Sequence, residues 1–214
     1  MLINFADRVA ELKIVYYGPA AAGKTTSLQY LARRLGVEIV DVPFAGDNDR
    51  TVFFEFAPLT RRFGNWSVKF NFWTLPGQLR FSRTRALVLR GAQGIVYVAD
   101  SQYIAVEENL RMLADLQDKL NEDALALEGL STQQKDGVPI VLFYNKRDLA
   151  PEQIMPVEYM DATFDLRTWG IPRLTGSALT GQNVLQAADL ISSNLLRQLS
   201  ESLGLEEDDE KQAS

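Results

Sequence analysis

The chain contains neither cysteine nor histidine. The first absence excludes disulfides, thiolate metal sites and thioester or prenyl anchors, and it fits a reducing compartment. The second removes imidazole general-base chemistry and histidine-ligated zinc or haem from the chain's own repertoire. No apolar stretch approaches the ~20 residues of a membrane-spanning helix. The N-terminus, Met1-Leu2-Ile3-Asn4-Phe5-Ala6-Asp7-Arg8, lacks the basic region and long apolar core of a signal peptide. Glycine is absent at position 2, so the myristoylation pattern fails as well. Together these features point to a cytoplasmic protein with no direct membrane anchor.

Positive charge is also scarce. The net charge is −6, and residues 205–214 alone hold five acids against Lys211, a net −4 that leaves −2 for the other 204. Nothing resembles the basic field of a nucleic-acid binder. The acidic segment 205–214 reads as a disordered, solubilising tail. Residues 1–204 read as a single domain, since 214 residues with 46% hydrophobic and 23% charged composition suit one soluble core.

What is present begins at residues 18–25, Gly-Pro-Ala-Ala-Ala-Gly-Lys-Thr, which fit GxxxxGK[ST]. They follow an apolar run at 12–17 and precede Leu28, Leu31 and Leu35 at helical spacing. Strand, glycine-bearing loop and helix N-terminus make an anion site. Gly18, Ala20, Ala21, Ala22, Gly23, Lys24, Thr25 and Thr26 are its candidate nucleotide-binding residues. Backbone N–H groups would wrap the phosphates, Lys24 would reach the outer ones, and the Thr25 hydroxyl could ligate Mg²⁺.

Strand-like runs at 51–57, 68–74, 94–99, 140–144 and 172–176 alternate with helical patterns at 25–35, 81–89, 106–120, 156–164 and 183–203. This predicts an α/β fold: a mostly parallel central sheet, one antiparallel edge hairpin and helices on both faces. The hairpin joins 51–57 to 68–74 through 58–67, where no helix intervenes. The polar stretch 121–137 reads as a surface excursion.

The base is read downstream. After the apolar strand at 140–144 stands Asn145-Lys146-Arg147-Asp148, the NKxD pattern. A carboxylate there can accept hydrogen bonds from the ring N–H and exocyclic amine of guanine. Adenine offers neither donor in that arrangement and would leave the carboxylate unpaired, the stronger form of discrimination. The Lys146 stem would lie along the purine plane. Ser177, Ala178 and Leu179, after the last short strand, would offer backbone N–H groups to the guanine oxygen.

At this point the chain resembles the Ras-superfamily small GTPases over roughly residues 10–200, and most closely the bacterial MglA-type branch. Small GTPases usually carry DxxG after the third strand; here the residues are Thr74-Leu75-Pro76-Gly77-Gln78, and a Thr in first position is similar to the MglA-type pattern. Asp49-Arg50-Thr51 ahead of Val52-Phe53-Phe54-Glu55-Phe56, and Val98-Ala99-Asp100-Ser101-Gln102, are similar to it too.

The resemblance implies a small G domain of the phosphate-loop class, with GTP/GDP as ligand and Mg²⁺ as cofactor. It implies that Thr51 closes onto Mg²⁺ and the γ-phosphate, that the Gly77 N–H senses that phosphate, and that Gln78 orients the attacking water. It implies for Arg50 the role of an arginine finger supplied by the same chain. The residues also allow a solvated arginine beside Asp47 and Asp49, and Arg80 competes for the role. It further implies a Roadblock-type dimeric activating partner and a place in bacterial cell polarity or motility.

Two departures bear on rate. Thr74 removes the carboxylate that normally holds a Mg²⁺-bound water, and Ala20 puts a methyl where many small GTPases keep glycine. Both fit a switch that hydrolyses GTP slowly without a partner. The alternative they leave open is a nucleotide-dependent protein-binding module with negligible hydrolysis. An ATP-using kinase conflicts with NKRD.

Overall fold

Two strands open the chain, a short β1 (Leu2–Asn4) folding back antiparallel on β2 (Val9–Tyr17). The computed structural model describes residues 1–45, 51–74, 82–122, 137–165 and 170–204, with backbone alone for 44–45, 51–54, 82–84 and 121–122. The expectations for Arg50, Gly77, Gln78, Arg80 and the tail 205–214 lie outside the described residues, as does the Thr51 side chain.

The remaining elements run in order. They are α1 (Lys24–Leu35), β3 (Val40–Ala45), β4 (Thr51–Phe63), β5 (Trp66–Thr74), α2 (Ser82–Leu89), β6 (Gly94–Asp100), α3 (Val106–Glu122), β7 (Ile140–Asn145), α4 (Val157–Thr163), β8 (Arg173–Thr175) and α5 (Val184–Leu203). Single 3₁₀ turns sit at Tyr103–Ala105 and Pro151–Gln153.

The sheet has the order β3-β4-β5-β2-β6-β7-β8. From β5 through β8 every pairing is parallel, whereas β3-β4 and β4-β5 are antiparallel. The fold is therefore the expected α/β architecture, and β2 shows why. Leu12, Ile14 and Tyr16 are buried with Leu28, Leu31 and Ala32 of α1 and Ile191 and Leu195 of α5. Val15 and Tyr17 point the other way, among Leu89 of α2, Met112 and Leu116 of α3 and Met160 of α4. A period-two strand that is apolar on both faces requires helices on both faces. Each such aliphatic side chain stabilises the fold by about 1.5–3 kcal/mol.

The edge hairpin differs from expectation in extent. β4 runs on to Phe63 and β5 starts at Trp66, so the connection is the two-residue turn Gly64-Asn65. Gly64 takes φ 54°, as tight hairpin turns of this length require. Pro58 lies inside β4, opposite Asn71. β3 pairs only as far as the Val40↔Phe56 step, so at Pro58 β4 has no second neighbour awaiting its missing N–H. β3 was not anticipated. It forms the outer edge of the sheet, and its own Pro43 is tolerated for the same reason.

Candidate nucleotide site

Going outward from β2, the chain first crosses to β5 and its hairpin on one side, then to β6, β7 and β8 on the other. The reversal of direction lies between β2 and β6, and the carboxyl ends of strands at such a switch point bind ligands. Four loops converge there, after β2, β6, β7 and β8. They carry residues 18–23, Ser101-Gln102, residues 146–149 and Ser177-Ala178 respectively.

The first loop can only be built with glycine at two places. Gly18 has φ 135°, and a Cβ there would run into the backbone carbonyl of Val98 on β6. Gly23 has φ 102°, and a Cβ there would occupy the position of the Asn145 amide. Between them Ala21 is held left-handed at φ 57°, a strained state for a residue with a Cβ. Left-handed turns of this kind point successive N–H groups into one concavity, which suits an anion.

α1 starts directly after Gly23, with no side-chain cap and no acid in its first turn. Its N-terminal amides and positive dipole end face the loop. Ala22 is buried, while Ala20, Ala21, Thr25 and Thr26 are exposed toward the open side.

Lys24 is buried, and its ammonium donates to the carbonyls of Gly18 at 2.9 Å and Pro19 at 2.5 Å. Burial, and secondarily the charge of Arg85, push its pKa down to about 8. Such a lysine gains most when a phosphate supplies the opposite charge.

Asn145 ties two loops together. Its amide nitrogen donates to the Ala22 carbonyl at 2.6 Å, and its amide oxygen accepts from the Ala178 N–H at 2.7 Å. The Ser177 N–H donates to Gln182 at 3.1 Å, so both amides are engaged inside the protein. Leu179 and Asp148 are exposed.

Lys146 takes a left-handed φ of 67° and its ammonium bonds Asp100 at 2.6 Å and Gln102 at 3.0 Å. Asp100 is buried at the end of β6 and also accepts from the Gln102 N–H at 3.0 Å. The motif lysine is thus held by a carboxylate at the end of the neighbouring strand β6, a partner that sequence spacing did not reveal.

A second unanticipated group is Glu55 on β4. The Thr74 hydroxyl, buried at the end of β5, donates to its carboxylate at 3.1 Å, and Gln29 of α1 approaches it at 3.5 Å. Gln29 lies one helical turn after Thr25, on the same face of α1. A carboxylate therefore stands beside position 74, on the neighbouring strand. The strand pairing Phe56↔Trp73, with β4 and β5 antiparallel, puts Glu55 beside Thr74, and that pairing was the available signal. Among the described residues no cluster of three or more His, Cys, Asp or Glu could hold a metal by itself. Mg²⁺ seldom needs one, because it is usually bound by one or two protein oxygens together with substrate phosphates. The oxygen donors here fit that pattern.

A phosphate loop at the switch point of a doubly wound sheet, stapled by an Asn-Lys-x-Asp loop, defines a guanine-nucleotide-binding domain. Residues 13–197 match the Ras family, and the chain belongs to it; it is a small GTPase. It is also 34% identical over 200 residues to the mutual gliding-motility protein MglA of Myxococcus xanthus (strain DK1622), covering 92% of this chain and 96% of that protein. Among the described residues no helix is long and apolar enough to cross a membrane.

Proposed function

We propose that this protein is a guanine-nucleotide switch whose own hydrolysis of GTP is slow and is accelerated by a partner. The observation that carries the reading is the Asn145 bridge, which makes the phosphate loop and the Ser177-Ala178 loop one continuous site. In this reading residues 18–26 hold the phosphates, Asn145, Lys146 and Asp148 hold the base, and the Ser177-Ala178-Leu179 segment, whose Ser177 and Ala178 amides are spent on the protein itself, walls the base pocket. Thr51 and Gly77 answer to the γ-phosphate, Gln78 orients water, and Arg50 neutralises transition-state charge. Residues 1–204 act as one G domain, with 205–214 as an acidic tail.

Thr25 and Thr51 would hold Mg²⁺ in this site, and the Glu55 carboxylate would add negative charge beside it where position 74 has none. The ion would supply neutralisation of phosphate charge. Replacing Glu55 with Gln weakens Mn²⁺ binding to the GDP complex, read by electron paramagnetic resonance; an unchanged Mn²⁺ affinity rejects this assignment.

The relative's name supports a role in motility, and a Roadblock-type dimer remains the proposed activator. Competition of GTP against ATP, followed by turnover assays with and without that dimer, tests the function. GTP is expected to win, with slow turnover alone and faster turnover with the partner. Preference for ATP overturns the reading.

The rival, a binding module with negligible hydrolysis, is favoured by Ala20, whose methyl stands on the exposed side of the loop. Tight GTP binding with no turnover in either assay selects it. Ala20→Gly is expected to hydrolyse GTP faster in a single turnover, and an equal or slower rate removes the steric argument.

A further inference from the structure

The ion pair between Lys146 and Asp100, at 2.6 Å, is one that strand pairing does not need. β6 and β7 are already in register as far as Asp100↔Asn145, and just beyond it the Ser101 N–H donates to the Asn145 carbonyl at 3.2 Å. What the ion pair fixes is a side chain. Lys146 begins at the end of β7, and its ammonium ends on the β6 side, at Asp100 and Gln102. Neighbouring strands lie about 4.8 Å apart, a distance that a lysine stem spans, so its methylenes are laid across the strand ends.

The carboxylate is itself immobilised from behind. The Asp100 N–H donates to Asn109 Oδ1 at 3.0 Å, and the Asp100 carbonyl accepts from Asn109 Nδ2 at 2.8 Å. One amide of α3 thus grips both backbone groups of the residue. Asn109 is fully buried, and its own carbonyl accepts from the Tyr97 hydroxyl at 2.5 Å. One Asp100 oxygen accepts the Gln102 N–H at 3.0 Å, which leaves the other for Lys146. Lys146 has a left-handed φ of 67°, a strained state for a lysine. Such strain persists where the surroundings over-determine it, and it gathers at ligand sites. A free lysine stem must be ordered when a base settles on it, whereas this one is ordered beforehand.

We propose that Asp100 is a positioning residue for guanine-nucleotide recognition: acting through Lys146, it turns a flexible stem into a fixed apolar ledge for the purine face. Gln102 is the second support of the same ammonium. This role rests on the reading that Lys146 lies along the base, and it places the effect at the base and not at the phosphates.

Asp100→Asn keeps the shape of the residue and removes its charge. Release of labelled GDP, followed by stopped-flow fluorescence, should be about three- to tenfold faster, the range that ordering one long side chain costs. A labelled non-hydrolysable GTP analogue should leave faster by the same factor, with association little changed, because such differences fall mainly on release. Lys146→Ala should also release both nucleotides faster. In that background Asp100→Asn should cause no further loss, since a residue that acts through another has no effect once the other is gone. Mere loosening of the fold would accelerate release in both backgrounds.

Wild-type release in Asp100→Asn overturns the proposal. So does a loss of the same size in the Lys146→Ala background, or a loss confined to one of the two nucleotides. Should Asp100→Asn not fold, Gln102→Ala at its half-buried position takes its place, with release expected to be about threefold faster; no change there overturns the proposal as well. Wild-type release in Lys146→Ala removes the base-support reading and this role with it. Faster release in Lys146→Ala beside wild-type release in Asp100→Asn removes the role of Asp100 alone.

Discussion

Lys24 sets a pH dependence that can be worked out from its surroundings. Burial and the charge of Arg85 lower its pKa from 10.5 to about 8. The charged form is disfavoured on folding, so the cost is present below pH 8 and is relieved as pH rises from 8 past 10.5. A bound phosphate reverses this preference and restores the proton. GDP affinity should therefore be insensitive to this group below pH 8 and weaken above it, by at most about tenfold per pH unit. Titration calorimetry between pH 7 and 10 measures the slope, and Lys24→Met should bind weakly with no slope arising from this position.

At the same scale, Gly23, Lys24 and Asn145 were legible because their motifs fix backbone as well as side chain. Glu55, Asp100 and Arg85 were not. Each acquires its surroundings from a strand or helix far away in sequence, and a buried arginine on a short helix looks like a surface residue until Asp115 is seen opposite it.

At the level of elements, the strands β2, β6 and β7 announced themselves by their apolar runs, while β3 and the outer half of β4 were hidden by Pro43 and Pro58. Proline is evidence against a strand only where a second neighbour needs its N–H, and sequence does not tell which strands are edges. In α2 the described anchors include the Arg85–Asp115 ion pair and the buried Val88 and Leu89. Asp115→Ala leaves Arg85 buried without its carboxylate and should destabilise the protein by about 3–5 kcal/mol. Urea denaturation monitored by circular dichroism gives this number; a loss below about 1 kcal/mol would mean that the cluster is already well solvated.

For the molecule as a whole, the sheet is continuous from β3 to β8 and both faces are covered, so nucleotide binding at its carboxyl edge is linked to global unfolding. A ligand at one hundred times its Kd stabilises by about 2.7 kcal/mol. For a domain of this size that is roughly 5–11 °C in melting temperature, at about 2–4 °C per kcal/mol. GDP and GTP should both produce it and ATP should not, as differential scanning fluorimetry at matched concentrations can show.

The Asn145 amide also has a consequence for time. By fastening the Ala22 carbonyl to the Ala178 N–H, it keeps the two halves of the nucleotide's berth from drifting apart. A nucleotide whose base lets go still faces that base pocket at high effective concentration, because its phosphates remain anchored a fixed distance away. Escape then requires both ends to detach together, and residence lengthens without any new contact to the ligand. Asn145→Ala removes the two bonds, worth about 1–3 kcal/mol together. GDP and GTP should then leave faster by similar factors while arriving at nearly the wild-type rate, as stopped-flow fluorescence with labelled nucleotides would reveal. One buried amide would in that case govern how long the protein remembers which nucleotide it last bound.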